Sequence, residues 1–273
     1  VTPWTTIEKW FHSGKYKPYA NREVPPGEFS IIDVMKYGIV LCPPTTRISR
    51  AVRDIPVSYI KGGNNIPNLR QIVEKELEQE GEQIKCIRYR ECGRHPEYSM
   101  ENAAYRYRSY DTTNGKEYFI SLESVDEKEG LFGFLRLRIP YGDNSQFKCL
   151  NNKAIVRELH VYGNLIPVGE NNSEETQHKG IGKKLLHNAE MLAKQENKEG
   201  VAIISGIGVR GYYEKRGYKL EDTYMVKYFT DENSENINLF ISCVLLIISI
   251  IIMFYSVPME FIKEYFMNES KCN

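Results

Sequence analysis

Residues Ala154–Leu186 read AIVRELHVYGNLIPVGENNSEETQHKGIGKKLL, and the remainder of the chain is organised around them. Apolar and polar residues alternate through AIVRELHVY, the two-residue period of a strand. That period puts Arg157, Leu159 and Val161 on one face and Val156, Glu158, His160 and Tyr162 on the other. A polar loop follows, and Gln177, Gly180 and Gly182 sit where the chain must turn sharply. Ile181, Leu185, Leu186, Ala189 and Leu192 then recur at helical spacing. A helix that opens directly from a glycine turn leaves a row of backbone N–H groups at its N-terminus, which suits an anion. The Rossmann pattern is not met, because Leu185 stands where a third glycine is needed. The P-loop is not met either, because no Ser or Thr follows Lys183 or Lys184 at the right place. By themselves the glycines fit an ordinary turn equally well.

Upstream of this stretch, KEYFISLESV and GLFGFLRLRIP alternate as two antiparallel strands joined through DEKEG, with Gly130 in the turn. Downstream, VAIISGIG reads as a short buried strand, VRGYYEKRGY as a helix ending at Gly217, and KLEDTYMVKYF as a terminal strand. Glu158 and His160, two residues apart on one strand face, have the geometry of a general base if that face lines a cleft. A satisfied structural Glu and His pair is the alternative.

The first eighty residues alternate helical patterns with turns. Trp4, Ile7, Trp10 and Phe11 mark one helix face, Phe29–Leu41 forms a second helical stretch stopped by Pro43 and Pro44, and Asn68 caps a third through Leu69, Ile72, Val73 and Leu77. Arg47, Arg50 and Arg53 recur every three residues. Between Cys86 and Tyr110 the cations Arg88, Arg90, Arg94, Arg106 and Arg108 interleave with Tyr89, Tyr98, Tyr105, Tyr107 and Tyr110. Cations with stacking partners at this density suit a ribose-phosphate backbone with unpaired bases. The alternative is a strand with tyrosines on one face and arginines on the other. Cys86, Cys92 and His95 are zinc-ligand types, but their spacing is unlike compact zinc knuckles and no fourth ligand is evident, so no metal is assigned.

With 273 residues, 41% of them hydrophobic, the chain can bury one large core or two modest ones, which excludes a disordered polymer. Lys plus Arg and Asp plus Glu both number 36, so no global charge attracts a polyanion and only local clusters can. Six cysteines without a CxxC pair favour free thiols in a reducing compartment. No signal peptide precedes the first helix, and a start at Val1 suggests that sequence is missing upstream. Leu239–Val257 is nineteen residues without a charge, the length of a transmembrane helix. So close to the end of the chain, it predicts a tail anchor in the endoplasmic reticulum or mitochondrial outer membrane, with the preceding residues in the cytosol.

The order of two antiparallel strands, a strand, a QxxGxG turn, a helix, a strand, a helix and a last strand resembles the Gcn5-related acetyltransferase fold, an α/β fold with a mixed, largely antiparallel sheet. VRELHVYG, QHKGIGKKLL, ISGIGVRGYYEKRGY and TYMVK are similar to the acetyltransferase domain of the catalytic subunits of the Elongator complex. WTTIEKWFHSGKYKPY, ISRAVRDIP and SYIKGGNNIPNLRQ resemble the end of that family's radical-SAM domain and its linker. The resemblance implies residues 1–80 as the end of a radical-SAM domain, 81–230 as an acetyltransferase domain and 231–273 as linker and anchor. It implies acetyl-coenzyme A as cofactor. Glu158, Leu159, His160 and Val161 would lie along its acyl arm, Gln177, Gly180, Ile181, Gly182, Lys183 and Lys184 around its pyrophosphate, and Tyr213, beside Tyr212, near the thioester sulfur. It implies tRNA and other Elongator subunits as partners, and acetyl transfer leading to carboxymethylation at C5 of the wobble uridine. Protein lysine acetylation, or non-catalytic tRNA binding at a membrane, are the alternative functions. The family's radical-SAM cysteine triad is not in this sequence, so an iron–sulfur cluster and S-adenosylmethionine would need further upstream sequence.

Overall fold

The computed structural model describes residues 1–18, 24–25, 27–51, 55–95, 97–125, 129–143, 146–162, 180–229, 244 and 246–249. The chain divides into two compact units, Val1–Lys227 and Tyr228–Asn273. In the second unit the described residues between 244 and 249 are helical, and most of Leu239–Val257 lies outside the described residues. Among the described residues no helix is long and apolar enough to cross a membrane.

The first unit begins with three helices, α1 (Thr6–His12), α2 (Ile31–Val40) and α3 (Leu69–Gln79). Ser30 and Asp33 close a capping box at the start of α2, satisfying two of the N–H groups that a helix end leaves unpaired. Asn68 precedes α3 as the pattern predicts, but its side chain makes no capping hydrogen bond. Ile32, Ile39, Leu69, Val73 and Leu77 pack into one hydrophobic cluster with Ile84 and Cys86. This core takes in Ile84 and Cys86 from beyond residue 80, and residues 1–80 share one compact unit with residues 81–227.

After the single turn α4 (Ile87–Arg90), four antiparallel strands are laid down in order: β1 (Ala103–Thr112), β2 (Gly115–Ser124), β3 (Leu131–Pro140) and β4 (Lys153–Val161). The helix α5 (Ile181–Gln195) then crosses to β5 (Gly200–Ile204), which pairs parallel with β4. A parallel pair requires such a crossover, and α5 buries Ile181, Leu185, Leu186, Ala189 and Ala193. Each of its fully buried leucines contributes roughly 1.5–3 kcal/mol. The short helix α6 (Arg210–Glu214) leads to β6 (Lys219–Glu221) and β7 (Tyr224–Tyr228), completing a seven-stranded mixed sheet of order β1-β2-β3-β4-β5-β7-β6. KLEDTYMVKYF is thus a hairpin, not one strand, because Asp222 takes a left-handed φ of 51° and reverses the chain.

The alternation predicted for β4 fails at one residue. Arg136 pairs with Glu158 and Leu137 with Val156, so Arg157 is a bulge without a partner on β3. An extra residue shifts the parity of the side chains. Arg157, expected beside Leu159, instead reaches Glu117 on the face that carries Glu158, and Val156 is buried in register with Leu137.

Candidate active site

Parallel pairing of β4 with β5 covers four residue pairs, from Lys153 and Gly200 to Val156 and Ile203. β4 then bends at its bulge and continues to Val161 without β5 beside it. Glu158–Val161 consequently border a gap on the side away from β3, with backbone groups that β5 does not satisfy.

At this end of the sheet stands the N-terminus of α5. Gly180 is its N-cap with φ 72° and ψ 17°, a left-handed conformation that costs other residues roughly 1–2 kcal/mol, and it offers no capping side chain. The first turn has no acidic residue, and Lys183 and Lys184 there are exposed. Two cations at the positive end of a helix dipole repel it, and an anion relieves both. Gln177 lies outside the described residues.

Tyr212 closes the gap from the other side. A Cβ on Gly182 would lie 3.0 Å from the Tyr212 hydroxyl and 3.6 Å from Val161 Cγ2, so the missing side chain at Gly182 makes room for the phenol between α5 and β4. Tyr213 turns inward, 7% exposed, with its ring centroid 5.9 Å from that of Tyr218. Burial raises the pKa of both phenols; Tyr212 raises that of Tyr213 further, and the Arg216 guanidinium pulls both down. Of the pair, Tyr212 places its hydroxyl beside Gly182 at the N-terminus of α5.

Glu158 and His160 share a face, as the alternation requires, but not a hydrogen bond among the described contacts. Arg136 Nε holds Glu158 Oε2 at 2.9 Å. The imidazole lies parallel to Phe134, centroids 6.0 Å apart, and 4.9 Å from Tyr162. Leu159 and Val161 are half-buried on the opposite face. Sequence reasoning misses Arg136, because an arginine alternating with leucines in LRLRIP reads as a solvated strand face and nothing local names its partner. It also misses Ser205, directly after β5, whose Oγ is buried without a hydrogen-bond partner among the described residues.

The arginines expected on one RNA surface are not equivalent. Arg90 is 1% exposed and donates to the carbonyls of Lys85, Glu129 and Pro44, so it is a structural strut and not an RNA contact. Arg108 forms a bidentate pair with Glu123 at 2.7 and 2.8 Å, and Arg106 lies 3.6 Å from the same carboxylate. Arg47 pairs with Glu91 at 2.9 Å, Arg50 is exposed, Arg88 is half-buried, and Arg53 lies outside the described residues. In β1, Arg106 and Arg108 project from one face and Tyr105 and Tyr107 from the other, as the register with Ser121, Phe119, Leu122 and Ile120 requires. Cys86, Cys92 and His95 are not brought together. The Cys86 thiol accepts from the Ile48 N–H, His95 Nε2 meets the Tyr89 carbonyl at 2.7 Å, and its Nδ1 meets Glu97 at 3.0 Å.

A mixed seven-stranded sheet, split between its two parallel strands and closed there by a glycine-capped helix, places the chain among α/β proteins with a cleft at the strand ends. Residues 1–79 match the Radical_SAM C-terminal domain. The chain is 38% identical to the tRNA uridine(34) acetyltransferase of Dehalococcoides mccartyi over 84% of its length and 35% identical to human Elongator complex protein 3 over 82%. The solved structure of the archaeal Methanocaldococcus infernus Elp3 with an N-terminal deletion covers 84% of the chain and 53% of its own, at 34% identity and a TM-score of 0.71. The chain spans 49% of the bacterial relative and 40% of the human one. It is a homologue of the tRNA uridine(34) acetyltransferases and Elongator complex protein 3 over most of its own length.

Proposed function

We propose that this chain carries the acetyl-coenzyme A site of an Elongator-type tRNA wobble-uridine acetyltransferase, built on a Gcn5-related acetyltransferase fold. The observation that carries the reading is the meeting of the Tyr212 hydroxyl, Val161 and Gly182 at the N-terminus of α5, a helix whose first turn has no acidic residue. The residues fit the cofactor. The first-turn N–H groups of Ile181, Gly182 and Lys183, with the Lys183 and Lys184 ammonium groups, suit a pyrophosphate. The edge of Glu158–Val161 that β5 does not cover suits the amides of a pantetheine arm, and the Ser205 hydroxyl adds a further polar group.

Bound acetyl-coenzyme A supplies an acyl group activated as a thioester. Backbone N–H groups of β4 facing the gap are placed to stabilise charge on an acyl oxygen. Glu158 is the residue proposed to accept a proton from the attacking group, and Tyr213, which the resemblance implies near the thioester sulfur, the one proposed to give a proton to departing sulfur. Arg50, Arg88 and the partly exposed Arg106 are the proposed RNA contacts, a reading supported by the density of cations in residues 85–108. The iron–sulfur cluster and S-adenosylmethionine would be held outside these 273 residues, and no step here depends on them. Other Elongator subunits are proposed partners on the strength of the relatives' names.

The test is release of coenzyme A from acetyl-coenzyme A by the protein with its upstream sequence restored, with and without tRNA. The reading requires stimulation by tRNA and its loss in Gly180→Glu and Tyr213→Phe. Stimulation by histone peptides in place of tRNA would favour protein acetylation, and no release under any condition would favour a binding relative. We also propose that Leu239–Val257 anchors the chain to a cytosol-facing membrane, supported by its nineteen uncharged residues. Removal of residues 237–273 then moves the protein from the membrane pellet to the supernatant, and pelleting without them overturns the anchor.

A further inference from the structure

One row across the sheet carries Arg108, Phe119, Arg136 and Glu158, each paired with the next on β1, β2, β3 and β4. The row lies on the face away from α5, because Gly133, an odd number of residues before Arg136 on β3, is the one whose missing Cβ would meet Ile181 and Leu185. Adjacent strands stand about 4.8 Å apart, so the two arginines flank Phe119 and Arg136 comes directly beside Glu158. Arg136 leans over the Phe119 ring, 5.2 Å from its centroid, and holds Glu158 Oε2 at 2.9 Å.

The segment after α2 roofs this row. The Pro44 carbonyl accepts from Arg90 at 2.9 Å, the Thr45 carbonyl from Arg136 at 2.7 Å and the Thr46 carbonyl from the Ile87 N–H at 3.0 Å. Between roof and strands lies a cavity of about 620 Å³, whose walls include Pro43, Pro44, Arg47, Arg108, Tyr110 and Arg136, and no carboxylate is among the described residues that line it. Ligand pockets run from about 300 to 1,000 Å³, so a small anion with a flat group attached has room. The carboxylates of Glu91 and Glu123 occupy only part of their guanidinium partners, since Arg47 Nη1 and Arg108 Nε make no hydrogen bond among the described residues. Cations with N–H groups to spare attract a phosphate, and the prolines and the phenol ring beside them offer flat apolar faces to a base. A phosphopeptide would use the cations and leave those faces bare.

We propose that this cavity is the acceptor subsite and takes one unpaired nucleotide of the RNA, its phosphate on Arg47, Arg108 and Arg136 and its base against Pro43, Pro44 and Tyr110. The inference rests on the acetyltransferase reading above, which gives Glu158 its role. Arg136 then has two tasks, to fix Glu158 and to bind the phosphate beside it, with its guanidinium between the two anions.

The experiment is calorimetric titration of the full chain with uridine 5′-monophosphate at low salt. One saturable site is expected, weakened about tenfold in Arg47→Gln and in Arg108→Gln by the loss of one charge-assisted contact. Uridine, without the phosphate, and inorganic phosphate, without the base, should each bind at least about tenfold more weakly. Acetyl-coenzyme A should bind Arg47→Gln as tightly as wild type and should leave bound uridine 5′-monophosphate in place. With the upstream sequence restored, Arg47→Gln should raise the KM for tRNA in coenzyme A release about tenfold and keep kcat within about twofold. No saturable site, or equal affinity in wild type and both variants, overturns the proposal. Inorganic phosphate binding as tightly as the nucleotide overturns it too, as an anion site without a base contact. Displacement by acetyl-coenzyme A would assign the cavity to the cofactor's own nucleotide and likewise overturn it. Failure of wild type to bind acetyl-coenzyme A while it still binds the nucleotide would instead contradict the acetyltransferase reading and leave the nucleotide site standing.

Discussion

Arg136 Nε lies 2.9 Å from Glu158 Oε2 while Arg136 Nη2 donates to the Thr45 carbonyl at 2.7 Å. One guanidinium therefore ties the Glu158 carboxylate, beside the proposed acyl site, to the segment after Pro43 and Pro44. Its third arm reaches the Tyr110 hydroxyl at 3.2 Å, and the planar group lies over Phe119 and Phe134. Glu158→Gln keeps the shape and loses the base, so coenzyme A release should fall by about 10²–10⁴-fold with little change in stability. Arg136→Gln should lose less activity but about 1–3 kcal/mol of stability, because the Thr45 carbonyl and Tyr110 lose a donor. Kinetics and urea unfolding of the two variants separate these effects; equal activity in Glu158→Gln and wild type would remove Glu158 from the chemistry.

Arg90 and Glu123 are 1% and 0% exposed and 3.4 Å apart. Removing Arg90 leaves Glu123 paired with Arg108 but takes the donor from the carbonyls of Lys85, Glu129 and Pro44, so Arg90→Met should cost at least about 1–3 kcal/mol, and urea unfolding measures it. A variant as stable as wild type would show that Arg90 is not the strut described here.

Glu123 also predicts a pH response. Burial alone pushes its carboxyl up, but hydrogen bonds from Arg108 and Ser121 and the charge of Arg90 outweigh it, and the net pKa is lowered from the ordinary 4.5. A lowered folded pKa contributes stability above pH 4.5 that is lost as pH falls through the folded value. Unfolding free energy should thus hold steady above pH 4.5 and decline below it, and Glu123→Gln should flatten that decline. A decline of equal steepness in Glu123→Gln would assign the acid response to other carboxylates.

Gly180 and Gly182 predict different failures. Gly180 has nothing within 4 Å of its missing Cβ, so Gly180→Ala meets only the left-handed strain, roughly 1–2 kcal/mol by thermal unfolding. Gly182→Ala presses on the Tyr212 hydroxyl at 3.0 Å at the proposed pyrophosphate site, so it should weaken acetyl-coenzyme A binding more than it lowers stability. The opposite ranking would contradict the placement of Tyr212.

Much of this architecture is legible in the sequence where periodicity is strong. α5 follows its apolar spacing from Ile181 to Ala189, and β2, β3 and β4 form where alternation places strands. The features that escape depend on contacts between distant residues or on a single backbone irregularity. No local pattern marks the bulge at Arg157, and so strict alternation misassigns the faces of β4 on one side of it. The arginine and tyrosine cluster reads as one surface because residues close in sequence alternate across a strand. Its carboxylate partners Glu123 and Glu129 come from the neighbouring strand and the turn after it. The different surroundings of the two tyrosines are likewise set by packing, since Tyr213 meets Tyr218 and Gly182 leaves space for the Tyr212 hydroxyl.

Calorimetric titration of the purified chain with acetyl-coenzyme A tests most directly whether the N-terminus of α5 holds that cofactor. One saturable site is expected, and Gly180→Glu should abolish it while thermal unfolding still shows a folded protein. No heat from the wild-type chain, or equal affinity in folded Gly180→Glu, would contradict the assignment.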